Sequence, residues 1–289
     1  MKIPLHKKAT NFDDEDNKIY QEYQVFEYLE NQKYENPKLF EYGFPDLDRY
    51  SDIKPYIYNK AEISTKSKYI NASPINIREK EKLFISTQGP MPQTIEDFWT
   101  MVYDYKSNVI VMLCKLIEGY RTKCENYWEA KMDKFKIIVQ KTDNYKMYVV
   151  RTIKLINTSN KEERTVKQIH FIGWPDHGIP DTSDGVVFDV FREINKLVDE
   201  FNVDKTPIIV HCSAGVGRTG TFVSMYLLEK EIIKQINDKC KEIRINVFNL
   251  VRKIKEMRMF MVQTPIQYKF VYLFVRDLLE KNNVKKKDK

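Results

Sequence analysis

The segment Pro207-Ile-Ile-Val-His-Cys-Ser-Ala-Gly-Val-Gly-Arg-Thr-Gly220 concentrates the chemistry of this chain. A run of β-branched residues leads into a glycine-rich turn, and a helical pattern starts directly after it. Successive backbone N–H groups at such a helix start make an anion site. Gly215, Gly217 and Gly220 allow tight curvature and close backbone approach. Arg218 adds a planar fork for two phosphate oxygens. Cys212 stands at the mouth of this positive nest, where a thiol favours its thiolate form. A thiolate held against a bound phosphate is a nucleophile. The expected chemistry is sulfur attack on an anionic ester.

Gly215 to Gly220 also spells GxGxxG, the dinucleotide-binding fingerprint. That alternative fits poorly. The residues after Gly220 read mostly as helix, so the completing βαβ unit is missing. It also leaves Cys212 and Arg218 without a purpose. A Walker loop fails because Gly-Lys-Ser/Thr is absent.

The elements that must position this loop can be read from periodicity. A short buried strand is predicted at 207–211 and a helix at 218–237. Further strands are predicted at 82–86, 108–114, 135–140, 146–156 and 163–172, the run from 108 onward as antiparallel meanders. Helices are expected over Ile19 to Asn31, Thr94 to Asp104 with Thr94 as cap, Asp184 to Phe201, 246–258 and 265–281. Residues 34–60 lack periodicity and are long for a loop, which points to function. The 289 residues, 42% hydrophobic and 31% charged, exclude a collagen, a low-complexity linker and a disordered chain. No apolar run approaches the ~18 residues of a membrane span, and no secretory signal stands at the N-terminus. An intracellular, cytoplasmic protein, with a nuclear pool allowed, is the default expectation. Cysteines at 114, 124, 212 and 240 show no CxxC spacing and His is scarce, so neither a zinc site nor a disulfide framework is expected. Three of the four read as ordinary buried thiols. The net charge is +7. Residues 11–36 hold eight acids and two bases, and residues 1–10 carry +3, which leaves +10 on the rest. A basic body suits an anionic substrate, a nucleic acid or an acidic membrane, and equally a solvated lysine surface.

The stretch from His211 to Gly220 resembles the signature loop of the phosphotyrosine-specific protein tyrosine phosphatases. The likeness spans about 34 to 276. Lys68-Tyr-Ile-Asn-Ala-Ser73, Thr87-Gln-Gly-Pro90, Asp97-Phe-Trp99, Lys123-Cys-Glu-Asn-Tyr-Trp128, Trp174-Pro-Asp-His-Gly178 and Val262-Gln-Thr264 resemble family blocks, in family order. The resemblance implies hydrolysis of phosphotyrosine in proteins through a cysteinyl-phosphate on Cys212. Arg218 and the amides of Ser213, Ala214, Gly215, Val216 and Gly217 would bind the phosphate. Asp176 would be general acid and then base, Thr219 would ease departure of the sulfur, and Gln263 would position the hydrolytic water. His211 would tune the sulfur from behind, while His170 and His177 read as structural. Trp174 and Pro175 would form the hinge of the Asp176 loop, with Glu118 and Lys123 as support. Asp48-Arg-Tyr-Ser-Asp52 resembles the recognition loop, with Tyr50 stacking on the substrate ring and Asp52 binding its backbone. Gln267 would border the same site, although Thr264, Pro265 and Gln267 also fit a capping box.

The implied fold class is α/β (α+β), a highly twisted mixed sheet flanked by helices. The implied organisation is a helical extension over 1–33, a catalytic domain over 34–280 and a basic tail over 281–289. No cofactor and no metal are implied. The expected partners are phosphotyrosine-containing proteins, with no nucleic acid, no stable membrane association and a monomeric state. Uncharged residues at 213, 214, 216 and 217 disfavour a phosphoinositide substrate, because related lipid phosphatases carry lysines there. Asp48, Lys255 and Met257 depart from the family pattern, and the family's Arg-Val is missing around Asn59 to Glu62. Phe260 is bulky where it borders the cleft. These departures motivate an alternative: a pseudophosphatase that binds phosphotyrosine proteins without turnover.

Overall fold

Ile208, Ile209 and Val210 are stiff, apolar residues that suit a strand covered on both faces. They form β9 (Ile208–His211), and all four of its residues are buried. The structure, a computed structural model, describes residues 14–41, 43–77, 83–175 and 178–284. Among the described residues eight strands precede β9. They are β1 (Ala72–Ile75), β2 (Phe84–Thr87), β3 (Val109–Met112), β4 (Ile117–Glu118), β5 (Arg121–Thr122), β6 (Phe135–Asn144), β7 (Tyr148–Asn157) and β8 (Glu163–Phe171). Seven strands make one mixed sheet in the order β1-β2-β9-β3-β8-β7-β6, and β4 pairs with β5 alone. β9 lies parallel to both neighbours. Thr87 sits opposite His211 on one side and Met112 opposite His211 on the other.

Among the described residues the helices are α1 (Asp14–Tyr34), α2 (Ile95–Asp104), α3 (Val186–Phe201), α4 (Gly217–Asn237), α5 (Val247–Met257) and α6 (Pro265–Lys281). α6 packs against α1 and α4, and α5 against α4 and β1. Ile19, Tyr23 and Phe26 of α1 belong to the same apolar core as β9 and α6. Phe26 stacks on Phe248 with ring centroids 4.7 Å apart. None of these helices is long and apolar enough to cross a membrane.

Several expectations need correction. β3 is not part of a meander: it runs parallel to β8 and β9, whereas β6, β7 and β8 form the antiparallel meander. β1 went unread because Pro74 suppresses a strand signal; it tolerates the proline as the first strand of the sheet order. β6 extends to Asn144 through a bulge between Val139 and Lys141, which breaks its alternation. Thr94 precedes α2, but its Oγ1 accepts from Met91 N–H at 2.9 Å and so closes the turn before the helix. Cys240 is exposed, unlike the buried Cys114, Cys124 and Cys212. Asp176, His177, residues 1–13 and residues 285–289, which include most of the lysine tail, lie outside the described residues.

Candidate active site

β9 ends in His211 and the chain turns at once through 212–216 into α4. Gly215 makes the turn possible. Its φ is +73°, and a Cβ there would lie 2.0 Å from Thr87 O. The turn points Gly215 N–H at Cys212 Sγ, 3.3 Å away. Cys212 is only 6% exposed, at the floor of a cleft of about 350 Å³. Ser213, Ala214, Gly217 and Arg218 line the same cleft. Thr219 Oγ1 is buried with no hydrogen-bond partner among the described residues.

Behind the sulfur, the polar groups form a single chain. Arg151 donates to Gln168 Oε1 at 2.8 Å, and Gln168 Nε2 donates to the Tyr127 hydroxyl at 2.7 Å. That hydroxyl is left to donate its own proton to His211 Nε2 at 2.8 Å, so Nδ1 carries the imidazole hydrogen toward Cys212 O at 3.1 Å. Complete burial pushes His211 down to about 3. His211 is therefore neutral and acts as a fixed strut. His170 donates to Cys114 O at 2.8 Å, and burial pushes it down to about 4.

Arg218 is aimed by Glu118. The pair is bidentate, at 2.5 Å and 2.8 Å, and the Glu118 side chain is 1% exposed. The small β4–β5 hairpin exists to present that carboxylate, which also accepts from Lys115 N–H at 3.0 Å. Burial opposes charge on Arg218, but the Glu118 hydrogen bonds and the nearby Cys212 outweigh it and leave the guanidinium more basic than usual. Arg218 also donates to Pro175 O at 3.1 Å and lies 5.8 Å from the Trp174 ring. Trp174 is buried, and its Nε1 donates to Gly178 O at 3.2 Å. Trp174 and Gly178 thus close the base of the loop that carries Asp176, which itself lies outside the described residues.

Tyr50 forms one wall of the cleft. Its hydroxyl meets Ser213 Oγ at 2.8 Å, and Ser213 Oγ donates to Lys123 O at 3.0 Å. Asp52 is exposed at the rim, and Lys123 lines the cleft. Arg49, not singled out from the sequence, clamps this loop with bonds to Gly89 O (2.9 Å), Pro90 O (2.7 Å) and Thr122 O (3.2 Å). Asp48 is well served where the family pattern has Asn. It accepts from Tyr69 OH at 2.5 Å, Asn71 Nδ2 at 2.9 Å and Phe44 N–H at 3.1 Å.

The far wall comes from the segment between α5 and α6. Gln263 is exposed at the cleft, and Gln267 is buried beside it. Gln267 N–H bonds Thr264 Oγ1 at 3.3 Å, the expected cap, but its side chain accepts from Gln263 N–H at 2.9 Å rather than from Thr264. Gln267 Oε1 would stand 2.9 Å from a Cβ on Gly217, so it also presses on the signature turn. Arg258 was overlooked in the sequence. It is fully buried and donates to Gly215 O at 2.9 Å, Ala214 O at 3.2 Å and Asn71 Oδ1 at 2.7 Å. Burial pushes it down to about 10, against the raising influence of Tyr69, Cys212 and Asp48. Its signal was weak because its partners, two backbone carbonyls and the side chains of Asn71 and Ser73, all lie far from it in the sequence. Among the described residues no group of three or more His, Cys, Asp or Glu is placed to hold a metal ion.

A seven-stranded mixed sheet flanked by helices, with a cysteine-and-arginine turn between an interior strand and a helix, is the frame of a phosphatase fold. A profile of the family described as Protein-tyrosine phosphatase matches residues 45–277, and the chain belongs to that family. It is 38% identical over 249 residues to receptor-type tyrosine-protein phosphatase eta of Gallus gallus, covering 83% of this chain and 17% of that protein. It is 35% identical over 268 residues to tyrosine-protein phosphatase non-receptor type 20 of Rattus norvegicus, covering 89% and 61% respectively. The chain thus spans less than two thirds of either relative. The crystal structure of the catalytic domain of human protein tyrosine phosphatase non-receptor type 18 superposes with a TM-score of 0.78 at 27% identity, covering 91% of this chain and 96% of that one. The same phosphatase in complex with HER2 phosphopeptides gives 0.79 at 27% identity, covering 90% and 92%.

Proposed function

We propose that this protein hydrolyses phosphotyrosine in proteins. The observation that carries this reading is the turn itself: Gly215 N–H directed at Cys212 Sγ at 3.3 Å, beside an Arg218 locked by Glu118. Such a cradle stabilises charge on the equatorial oxygens of a transferring phosphoryl group. Cys212 Sγ attacks phosphorus, the P–O bond to tyrosine breaks, and Asp176 gives its proton to the leaving oxygen. Water then attacks the cysteinyl-phosphate, Asp176 takes the water proton, and the S–P bond breaks to release phosphate. Gln263 positions that water, and the Thr219 hydroxyl, which has no partner among the described residues, is assigned to easing departure of the sulfur. The Asp176 assignment rests on its place after Trp174 and Pro175. Tyr50, held upright by Ser213, makes the cleft deep enough that a phosphoserine cannot reach the sulfur. The phosphopeptides bound to the type 18 phosphatase support a phosphotyrosine protein as substrate. A reducing compartment such as the cytoplasm suits a reaction that needs Cys212 free. We assign a monomer, with neither nucleic acid nor membrane as partner.

The test is phosphate release from a phosphotyrosine peptide and a matched phosphoserine peptide, in excess EDTA, by wild type and Cys212→Ser. Release from phosphotyrosine alone, lost in the variant, is the expected outcome. Strict dependence on added metal, or turnover retained by Cys212→Ser, overturns the mechanism. Peptide binding without any phosphate release would select the pseudophosphatase alternative.

A further inference from the structure

Phe260 and Val262 hold φ values of 62° and 57°, a region that favours glycine. For a β-branched residue such as Val262 this is a true outlier. Strained backbone of this kind persists only where its surroundings over-determine it, and it clusters where mechanism needs it. α1 supplies the determinants. Glu30 Oε1 accepts from Phe260 N–H at 2.7 Å, while Glu30 Oε2 accepts from Lys255 Nζ at 3.0 Å. The Tyr23 hydroxyl donates to Val262 O at 3.2 Å. Tyr23, Glu30 and Lys255 are all buried. The two polar ends of the turn, the N–H of 260 and the C=O of 262, are thus pinned by one helix. On its other side the turn meets the signature loop. Val262 N–H bonds Val216 O at 3.2 Å, and Gly220 is so close that a Cβ would lie 2.3 Å from Val262 N. The next residue in the chain is Gln263, at the cleft.

We propose that Tyr23 and Glu30 are positioning residues for the second half of the reaction, holding the Phe260–Val262 turn so that Gln263 faces the cysteinyl-phosphate. This rests on the role given to Gln263 above. Among the described residues neither hydrogen-bonds Cys212, Arg218, Trp174 or Pro175, so formation of the phosphoenzyme is spared and its hydrolysis is not. Lys255 belongs to the same device: the departure from the family pattern serves as the buried counter-charge of Glu30.

The experiment is quenched-flow and steady-state kinetics on a phosphotyrosine peptide. With Tyr23→Phe, kcat falls about fivefold or more while kcat/KM, which reports only steps through phosphoenzyme formation, stays within about twofold. More phosphoenzyme is trapped at the quench. Glu30→Ala behaves alike, and Glu30→Gln, which keeps an acceptor for Phe260 N–H, recovers most of the rate. Parallel falls in kcat and kcat/KM, or no change in either, overturn the proposal. Amide hydrogen exchange over residues 259–264 gives a readout that needs no turnover. Faster exchange in Tyr23→Phe is expected, and unchanged exchange overturns the positioning role even if wild type were to release no phosphate, a result that would separately sink the reading of the site.

Discussion

His211 and His170 are both buried and neutral, and that has a measurable cost in acid. Each folded-state pKa lies below the unfolded value near ~6.5. Between those values the unfolded chain binds more protons, so stability rises with pH and is lost on acidification. At pH ~5, 1.5 units below the unfolded value, each histidine removes about 2 kcal/mol. His170→Gln keeps a donor for Cys114 O and does not titrate. Its melting temperature should therefore drop less than that of wild type between pH 7 and pH 5; equal drops would show that His170 is protonated in the fold. The residues most legible in the sequence were those in one continuous stretch, from Cys212 to Gly220. Arg258 and Arg49 were not, because they act from 40 or so residues away on carbonyls that have no sequence signature.

Elements bring those distant groups together. The unit of β9, turn and α4 was readable because its parts are consecutive and its glycines punctuate it. The β4–β5 hairpin was not, since two residues per strand carry no periodicity, yet it alone sets Glu118 against Arg218. The parallel seat of β3 was hidden too, because pairing direction is decided by partners far along the chain. Gly220 marks a tight junction between α4 and the segment before α6. A methyl group there meets backbone, at 2.3 Å from Val262 N, rather than a yielding side chain. Gly220→Ala should cost about 1–3 kcal/mol of stability by the overpacking route and lose most activity. Chemical denaturation measures the first and phosphopeptide turnover the second; a variant within about 0.5 kcal/mol of wild type would mean that α4 and the 258–263 segment can separate at little cost.

At the scale of the molecule, the +7 net charge is carried by a body that is more basic still. Charge of one sign steers an oppositely charged ligand and is screened within about 10 Å at 0.1 M salt. We expect kcat/KM for an acidic phosphotyrosine peptide to fall several-fold between about 0.05 M and 0.3 M NaCl, and that for an uncharged-flank peptide to fall less. Equal salt dependence would leave the basic surface without a role in encounter. The central position of β9 has a further consequence, for synthesis. β2 and β3 both leave the ribosome well before residue 208, and each needs β9 along one edge. Both strands are wholly buried in the finished sheet. The nascent chain therefore carries two strands destined for burial with unpaired edges until β9 emerges, and the turn that holds Cys212 assembles only then. A chain interrupted upstream of Ile208 is accordingly not a smaller version of this fold but a fragment with exposed strand edges, dependent on chaperones to stay out of aggregates.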